Sequence, residues 1–145
     1  MFRKILYPTD FSDVSNKALA YIKQLREGGA KEVILLHVID ERAVEAVHRY
    51  GTESSFEKLE NMMKEEAEQF FTKIEKELKK CGLEVRKRIR IGNPLREILK
   101  TEEEEDISLI VIGSHGRSNL EEMLLGSVSE KVIRKCKKPV LIIKR

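Results

Sequence analysis

Hydrophobic residues fall in short, nearly continuous runs that alternate along the chain with longer amphipathic stretches. Apolar runs typical of strands occupy residues 3–7, 32–40, 107–112 and 139–144. A fifth candidate strand, 83–91, alternates in polarity instead, with Arg86, Arg88 and Arg90 on one face. The run at 32–40 is rich in β-branched residues, which predicts a strand covered on both faces.

Between these runs, apolar residues recur at the spacing of helices. The predicted helices begin after Ser12, at Ser55, near Pro94 and at residue 120, the last being interrupted by Gly126. The helix over 55–80 carries a stripe of Met and Phe residues that we interpret as core-facing. Residues 41–54 show no clean period, and we expect a loop there with about one helical turn.

The resulting order of elements is β-α-β-α-β-α-β-α-β. Strict alternation predicts an α/β fold, a doubly wound parallel sheet of five strands with helices on both faces. No linker, internal repeat or shift in composition divides the chain, so we expect a single domain over residues 1–145.

Composition narrows the class of protein. Of the 145 residues, 41% are hydrophobic and 37% are charged, which excludes collagen-like and disordered chains. The net charge of +3 comes from interspersed residues of both signs, so we expect no nucleic-acid partner. No run approaches the roughly 18 apolar residues of a membrane span, and the N-terminus lacks a signal peptide, so we expect a cytoplasmic protein without membrane contact.

Three groups of residues have more than one interpretation. For the Arg86, Arg88 and Arg90 face, a charged edge strand that discourages aggregation is favoured over nucleic-acid binding. The acidic run 102–106 is expected to be a solvated helix end rather than a metal site. Cys81 and Cys136 lack metal-ligand spacing, and we expect them to be buried, reduced thiols.

Candidate chemistry lies where strands end, because ligands of open parallel sheets bind beyond the carboxyl ends of the strands. The segments that follow strands in this way are 8–10, 38–40 and 113–120. If the first and fourth strands are neighbours in the sheet, the ends of these two strands flank one crevice.

The Gly-rich segment 113–119 is the strongest local signal. Glycine at 113 and 116 permits positive φ and a close approach of backbone to ligand. Ser118 with Glu121, and Ser127 with Glu130, fit capping boxes that can each open a helix. Helix N-termini present unpaired N–H groups, which predicts that this loop and the turn 126–129 hold a polyphosphate. Neither a P-loop nor a G-x-G-x-x-G fingerprint is present, and spacing alone leaves open that the glycines serve only turns and caps.

The spacing Gly113-x2-Gly116-x9-Gly126-Ser127 resembles the nucleotide-binding motif of the universal stress protein family. The resemblance extends to KILYPTDFS (4–12), VILLHVID (33–40), GNP (92–94), VIGSHGRSNLEEMLLGSVSEKVI (111–133) and KPVLII (138–143). It is strongest to the small archaeal-type members that bind ATP. It implies a Rossmann-like, adenine nucleotide alpha hydrolase-like sheet with strand order 3-2-1-4-5.

The resemblance also implies a ligand and the residues that hold it. The ligand is ATP, or ADP or AMP, with Mg²⁺ or Mn²⁺ held mainly by the phosphates. Asp10, with Pro8 and Thr9, faces the adenosine end, and Val38 pairs with adenine through its backbone. Ribose and phosphates are lined by Gly113, Ser114, His115, Gly116, Arg117, Ser118 and Asn119, and the phosphates are bound by Gly126, Ser127, Val128 and Ser129.

Purely structural interpretations remain open for three residues. Asp10 could cap the first helix, Arg117 could be a solvated charge, and His37 is expected to be a hydrogen-bonded core residue. No catalytic residue is assigned, because neither a P-loop lysine nor an evident general base is present. We therefore expect a stress-response or signalling module with slow or partner-dependent hydrolysis, the alternative being an ATPase or transferase on the same scaffold.

The final strand bears on assembly. Residues 140–143 are apolar on both faces, and the family order places this strand at an edge of the sheet. An apolar edge invites pairing with another chain, so we expect a homodimer through Val140–Ile143, as the resemblance also implies. A further protein partner that reads the nucleotide-bound state is possible, and the sequence does not identify it.

Overall fold

The computed structural model describes residues 1–115 and 125–145, with the backbone alone for Asp13. In chain order, the elements of these residues are β1 (Lys4–Pro8), α1 (Asp13–Glu27), β2 (Glu32–Asp40), α2 (Glu41–Tyr50), α3 (Glu53–Lys80), β3 (Glu84–Gly92), α4 (Pro94–Glu104), β4 (Leu109–Gly113), α5 (Ser127–Lys135) and β5 (Val140–Ile143). Of the predicted helix over residues 120–136, interrupted by Gly126, the part after Gly126 is α5, and residues 120–124 lie outside the described residues.

The five strands form one parallel sheet in the order β3-β2-β1-β4-β5. This confirms the predicted α/β class, the doubly wound sheet and its strand order. β1 is central and pairs with β2 on one side and β4 on the other. The winding reverses between β1 and β4, so their carboxyl ends open the crevice in which such folds bind ligands.

The core has one layer on each face of the sheet. On one face α1 and α3 bury Ala18, Ile22, Phe71, Ile74 and Leu78 against the strands. On the other face α4 and α5 contribute Ile98 and Val132 to a second layer. Since β1 is covered on both faces, its Ile5, Leu6 and Tyr7 are fully buried.

The expected loop at 41–54 is wrong, because most of it is α2. The Asp40 side chain caps α2 by accepting from the Arg42 N–H at 2.9 Å. Only Val44 of this helix is buried. Ala43, Val44, Ala46 and Val47 nevertheless recur at helical spacing, so the apolar pattern that predicts this helix was present in the sequence.

The stripe of Met and Phe residues in α3 is core only toward the C-terminal end of the helix. Ala67, Phe71, Ile74 and Leu78 are buried, whereas Met62 is 58% exposed. α3 packs on α2 as well as on β3. The sequence pattern could not show that the first half of this long helix has little of the sheet beneath it.

The acidic run 102–106 covers the C-terminal end of α4 as expected, and Glu103, Glu104 and Asp106 are exposed, but Glu102 and Glu105 are not solvated. Glu102 is 5% exposed, and its Oε1 accepts the N–H groups of Lys137 and Lys138 at 2.8 and 2.7 Å. Glu105 pairs with Arg86 and Arg88 of β3. Two of the three arginines on this edge strand are therefore committed to ion pairs, which the alternating pattern alone did not reveal.

Two further expectations concern cysteines and membranes. Both cysteines are free thiols, but Cys81 is exposed and Cys136 is half-buried, so the predicted burial is wrong. No helix in the described parts of the chain is long and apolar enough to cross a bilayer.

Candidate functional site

A cavity of about 360 Å³ lies beyond the carboxyl ends of β1, β2 and β4, beside the N-termini of α4 and α5. Its lining residues are Pro8, Thr9, Asp10, Ser15, Leu36, Val38, Asp40, Pro94, Ile98, Ile112, Gly113, His115, Gly126, Ser127, Val128 and Ser129. The cavity therefore occupies the switch point of the sheet, where the sequence placed the candidate chemistry.

Most of the predicted site residues meet in this cavity. Those that line it are Pro8, Thr9, Asp10, Val38, Gly113, His115, Gly126, Ser127, Val128 and Ser129. Ser114 is not part of the cavity lining. It is buried, 1% exposed, with its hydroxyl 2.7 Å from His115 Nδ1. The predicted residues Gly116, Arg117, Ser118 and Asn119, with the capping box from Ser118 to Glu121, lie outside the described residues.

The turn after β1 is held by buried hydrogen bonds. Thr9 Oγ1 accepts the Phe11 N–H at 3.0 Å and also the Ser15 hydroxyl. The Thr9 carbonyl accepts from His37 Nδ1 at 2.8 Å, so His37 is hydrogen-bonded as expected. Phe11 adopts φ 65° and stacks on the His37 ring at 4.4 Å. These contacts fix Asp10 at the mouth of the cavity.

Asp10 does not cap α1. Ser12 does so, accepting the Ser15 N–H at 3.3 Å, while Asp10 Oδ1 accepts the Ser12 N–H at 3.0 Å. The Asp10 carboxylate thus closes a local turn and lies at the cavity as well. Below it, Tyr7 donates its hydroxyl to the Ser15 carbonyl. Burial is the main cause that raises the pKa of Tyr7, so its hydroxyl remains protonated.

The N-terminus of α5 forms the β4 side of the cavity, and no side chain of residues 1–115 or 125–145 caps it. Gly126 is the N-cap residue, with φ −68° and ψ 158°, and its own N–H donates to the Ser114 carbonyl at 2.6 Å. The predicted capping box at Ser127 is wrong, because Ser127 is already the first helical residue. Its N–H and those of Val128 and Ser129 belong to the helical turn that has no intrahelical acceptors.

Gly113 is required for close packing rather than for positive φ. Among the described glycines, positive φ occurs at Gly29 and Gly82 and not at Gly113. A Cβ at Gly113 would lie 3.0 Å from Val14 Cγ1 and 3.3 Å from the backbone N of Ser15. The Gly113 carbonyl also accepts the Ser129 hydroxyl at 2.7 Å, which ties β4 to α5.

The wall on the side of β2 and α4 is largely apolar, and the sequence analysis assigned only Val38 to it. The other residues of this wall are Leu36, Pro94 and Ile98, and Ile112 of β4 adjoins them in the lining. They resemble ordinary core positions in the sequence, so only the three-dimensional arrangement identifies them. Ser15 was missed as a lining residue, and Asp40 was included in the candidate segment 38–40 without a role of its own.

Asp40 is ionised and held by a neighbouring arginine. Arg42 Nη2 donates to Oδ2 at 2.8 Å, and Arg42 Nε donates to Oδ1 at 3.2 Å. The Arg42 side-chain hydrogen bond is the main cause that holds the pKa of Asp40 below its usual range. Carboxylates thus lie at the ends of β1 and β2, opposite the positive end of the α5 dipole beside β4.

Within residues 1–115 and 125–145, no cluster of three or more His, Cys, Asp or Glu side chains could hold a metal ion. The donor set around the cavity is instead one of backbone amides, hydroxyls, carboxylates and one imidazole. Such a set suits an organic ligand with an anionic end.

Two solved structures share the fold and hold small ligands. One is a universal stress protein in complex with cAMP, 23% identical over 99% of this chain and 97% of its own, with a TM-score of 0.64. The other is a universal stress protein family protein from Arabidopsis thaliana with AMP bound, 17% identical over 99% and 92%, also with a TM-score of 0.64. At these identities the likeness establishes the fold alone.

Universal stress protein MJ0577 from Methanocaldococcus jannaschii is a much closer relative. Its sequence is 46% identical to this chain over 100% of this chain and 96% of its own. A solved structure of MJ0577 superimposes with a TM-score of 0.92, covering 100% and 97% of the two chains. The model of the universal stress protein family matches residues 1–144. This chain therefore belongs to the universal stress protein family.

Proposed function

We propose that the cavity binds an adenine nucleotide, ATP or its di- or monophosphate, and that the protein is a stress-response or signalling module with slow hydrolysis. The observation that carries the proposal is that the N-terminus of α5, at Gly126–Ser129, lines the same cavity as the apolar wall of β2 and α4. A nucleotide has an anionic end and a flat, largely apolar end, and this cavity offers a matching surface for each.

The phosphate end is assigned to α5 on electrostatic grounds. Unpaired amides and the helix dipole favour an anion at a helix N-terminus. Ser127 and Ser129 add hydroxyls beside these amides. The carboxylates of Asp10 and Asp40 repel phosphate from the other end, so the charge distribution orients the ligand with its base toward β1 and β2.

The base end is assigned to the apolar wall. Val38 is half-buried, and Leu36, Pro94 and Ile98 line the cavity with it. Such surfaces bind flat rings through burial of apolar area. The cAMP and AMP complexes of two relatives with the same fold support an adenine ring in particular.

A divalent ion accompanies the nucleotide in this proposal and is held mainly by phosphate oxygens. The only carboxylates among the described lining residues are Asp10 and Asp40, on the base side. The ion would neutralise phosphate charge.

Replacing Ser127 by proline tests the role of the α5 amides. Proline is accepted at the first position of a helix, and the extended Gly126 before it is compatible with proline. Ser127→Pro removes one N–H donor, whereas Ser127→Ala removes only the hydroxyl. We expect ATP binding by Ser127→Pro to be about 10-fold or more weaker than by Ser127→Ala, because a hydrogen bond to a charged group contributes roughly 1.5–3 kcal/mol.

Isothermal titration calorimetry with ATP and magnesium is the measurement, after mass spectrometry has identified any small molecule that co-purifies. Circular dichroism of both variants controls for retention of α5. Equal affinities in the two variants would show that this amide does not contact phosphate. Failure of the wild-type protein to bind any adenine nucleotide at millimolar concentration would refute the proposed function.

We also propose that the protein is a homodimer joined at β5. This strand is at one edge of the sheet, and its Val140, Leu141 and Ile142 are only half-buried. A two-fold axis beside β5 would pair the strand with its copy and cover these side chains.

Ile142→Lys is expected to convert this dimer to a monomer, because the pairing would bury an unpaired charge. Light scattering at micromolar protein concentration measures the oligomeric state. Met62→Lys, with the same charge change at an exposed site on α3, should remain dimeric. A monomeric wild-type protein, or a dimeric Ile142→Lys variant, would exclude this interface.

A further inference from the structure

We propose that Asp40 is a specificity-determining residue of the cavity, which accepts a hydrogen bond from an N–H or O–H donor on the bound nucleotide. The inference rests on the proposed nucleotide binding and goes beyond it by assigning Asp40 a role in selecting the ligand.

The first support is the position of Asp40 on β2. Leu36, Val38 and Asp40 alternate along one face of this strand, and all three line the cavity. Successive positions on one face lie about 7 Å apart, so Asp40 is one step beyond Val38 toward the mouth. A flat ring packed on Val38 therefore has its outer edge, or the attached sugar, within reach of the Asp40 carboxylate.

The second support is the state of the carboxylate. Three N–H donors of Arg42 contact it: the backbone N on Oδ1 at 2.9 Å, Nη2 on Oδ2 at 2.8 Å, and Nε, which is shared between Oδ1 at 3.2 Å and Oδ2 at 3.3 Å. A carboxylate has about four acceptor positions, which leaves capacity for a further donor. The side chain of Asp40 is 30% exposed. Arg42 thus keeps Asp40 charged, oriented and able to accept only.

Capping of α2 does not account for this arrangement. A cap needs one side-chain oxygen on the Arg42 N–H, and Asn or Ser supplies one as well as Asp does. The additional hydrogen bonds from the Arg42 guanidinium hold both carboxylate oxygens, which capping does not require. Substitutions that keep the cap therefore separate the two roles of Asp40.

Two parts of an adenine nucleotide carry suitable donors: the exocyclic amine of the base and the hydroxyls of the sugar. Inosine triphosphate replaces the amine by an acceptor oxygen, and 2′-deoxy-ATP and 3′-deoxy-ATP each lack one hydroxyl. The ratio of ATP affinity to the affinity of each analogue shows which donor contacts the protein, because a site built to accept a donor discriminates against a ligand that lacks it.

The experiment measures the dissociation constants of these four nucleotides for the wild-type protein, Asp40→Asn, Asp40→Ser and Glu41→Gln. We expect both Asp40 variants to bind ATP about 10-fold or more weakly. In both variants the ratio of ATP affinity to analogue affinity should fall toward one for one analogue. That analogue is inosine triphosphate if the donor is the amine, and a deoxy analogue if the donor is a hydroxyl. Glu41→Gln removes the same charge one residue away, outside the cavity lining, and should bind all four nucleotides as the wild type does.

Unchanged ratios for all analogues in Asp40→Asn and Asp40→Ser would overturn the inference while leaving the proposed function intact. An equal loss in Glu41→Gln would also overturn it, because the effect would then be one of net charge. A wild-type protein that binds none of the four nucleotides would refute the proposed function itself. Circular dichroism and thermal denaturation of each variant are the controls for loss of helix and of stability.

Discussion

Replacing Phe11 by alanine is expected to destabilise the protein by about 3–5 kcal/mol, the usual cost of removing a buried phenylalanine. Phe11 is 8% exposed, stacks on Phe70 at a centroid distance of 4.5 Å and meets the edge of Phe71 at 5.7 Å. It also covers His37, whose Nδ1 holds the Thr9 carbonyl. Its loss leaves a cavity among the rings of His37, Phe70 and Phe71 and removes packing that supports the turn with Asp10.

Replacing Phe11 by glycine should destabilise the protein less than replacing it by alanine. Phe11 has φ 65°, a conformation that costs an L-residue with a Cβ roughly 1–2 kcal/mol. Phe11→Gly loses the same ring but escapes this strain, so we expect it to be about 1 kcal/mol more stable than Phe11→Ala. Urea denaturation of both variants measures the difference. The opposite order of stability would mean that residue 11 does not hold a left-handed conformation in solution.

Replacing Gly113 by valine is expected to destabilise the protein by roughly 2–3 kcal/mol and to abolish nucleotide binding. Overpacking of a close contact typically costs about 1–3 kcal/mol. Here the new side chain meets the first turn of α1, where Val14 Cγ1 lies 3.0 Å from the Cβ position. That turn includes Ser15, which bonds Thr9 and lines the cavity, so displacement of α1 alters the floor of the site.

Gly113→Ala and a double variant show whether Val14 is the obstacle. Gly113→Ala should cost about 1 kcal/mol, and Val14→Ala should recover at least about 0.5 kcal/mol of that cost, since contacting residues couple by such amounts. Thermal denaturation and calorimetric titration with ATP are the measurements. If Val14→Ala and Gly113→Ala were simply additive, the glycine would be required for a reason other than this contact.

Much of the fold could be predicted because parallel strands have a simple sequence pattern. β2 is covered on both faces, and its uninterrupted apolar run identified it directly. The strand order was predicted from the family resemblance and not from periodicity. α2 was missed although Ala43, Val44, Ala46 and Val47 recur at helical spacing and Asp40 is a suitable N-cap, so the sequence did contain the signals of this helix.

The candidate site was predictable where it depends on strand ends and glycines. Segments 8–10, 38–40 and 113–115 do meet at one cavity. The sequence did not reveal Pro94 or Ile98, because an apolar residue in the wall of a crevice has the same pattern as one in the core. Positive φ, one of the two reasons that the sequence suggested for Gly113, is wrong, and the close packing of Gly113 against α1 arises only in the folded molecule.

The position of Glu102 on α4 has a consequence for how motion spreads through the molecule. Ile98 and Glu102 are one helical turn apart, and the first lines the cavity while the second grips the two amides that lead into β5. α4 therefore connects the crevice to β5, the outermost strand. We expect a ligand that displaces Ile98 outward to shift the residues at the start of β5 as well, at the opposite edge of the sheet from β3.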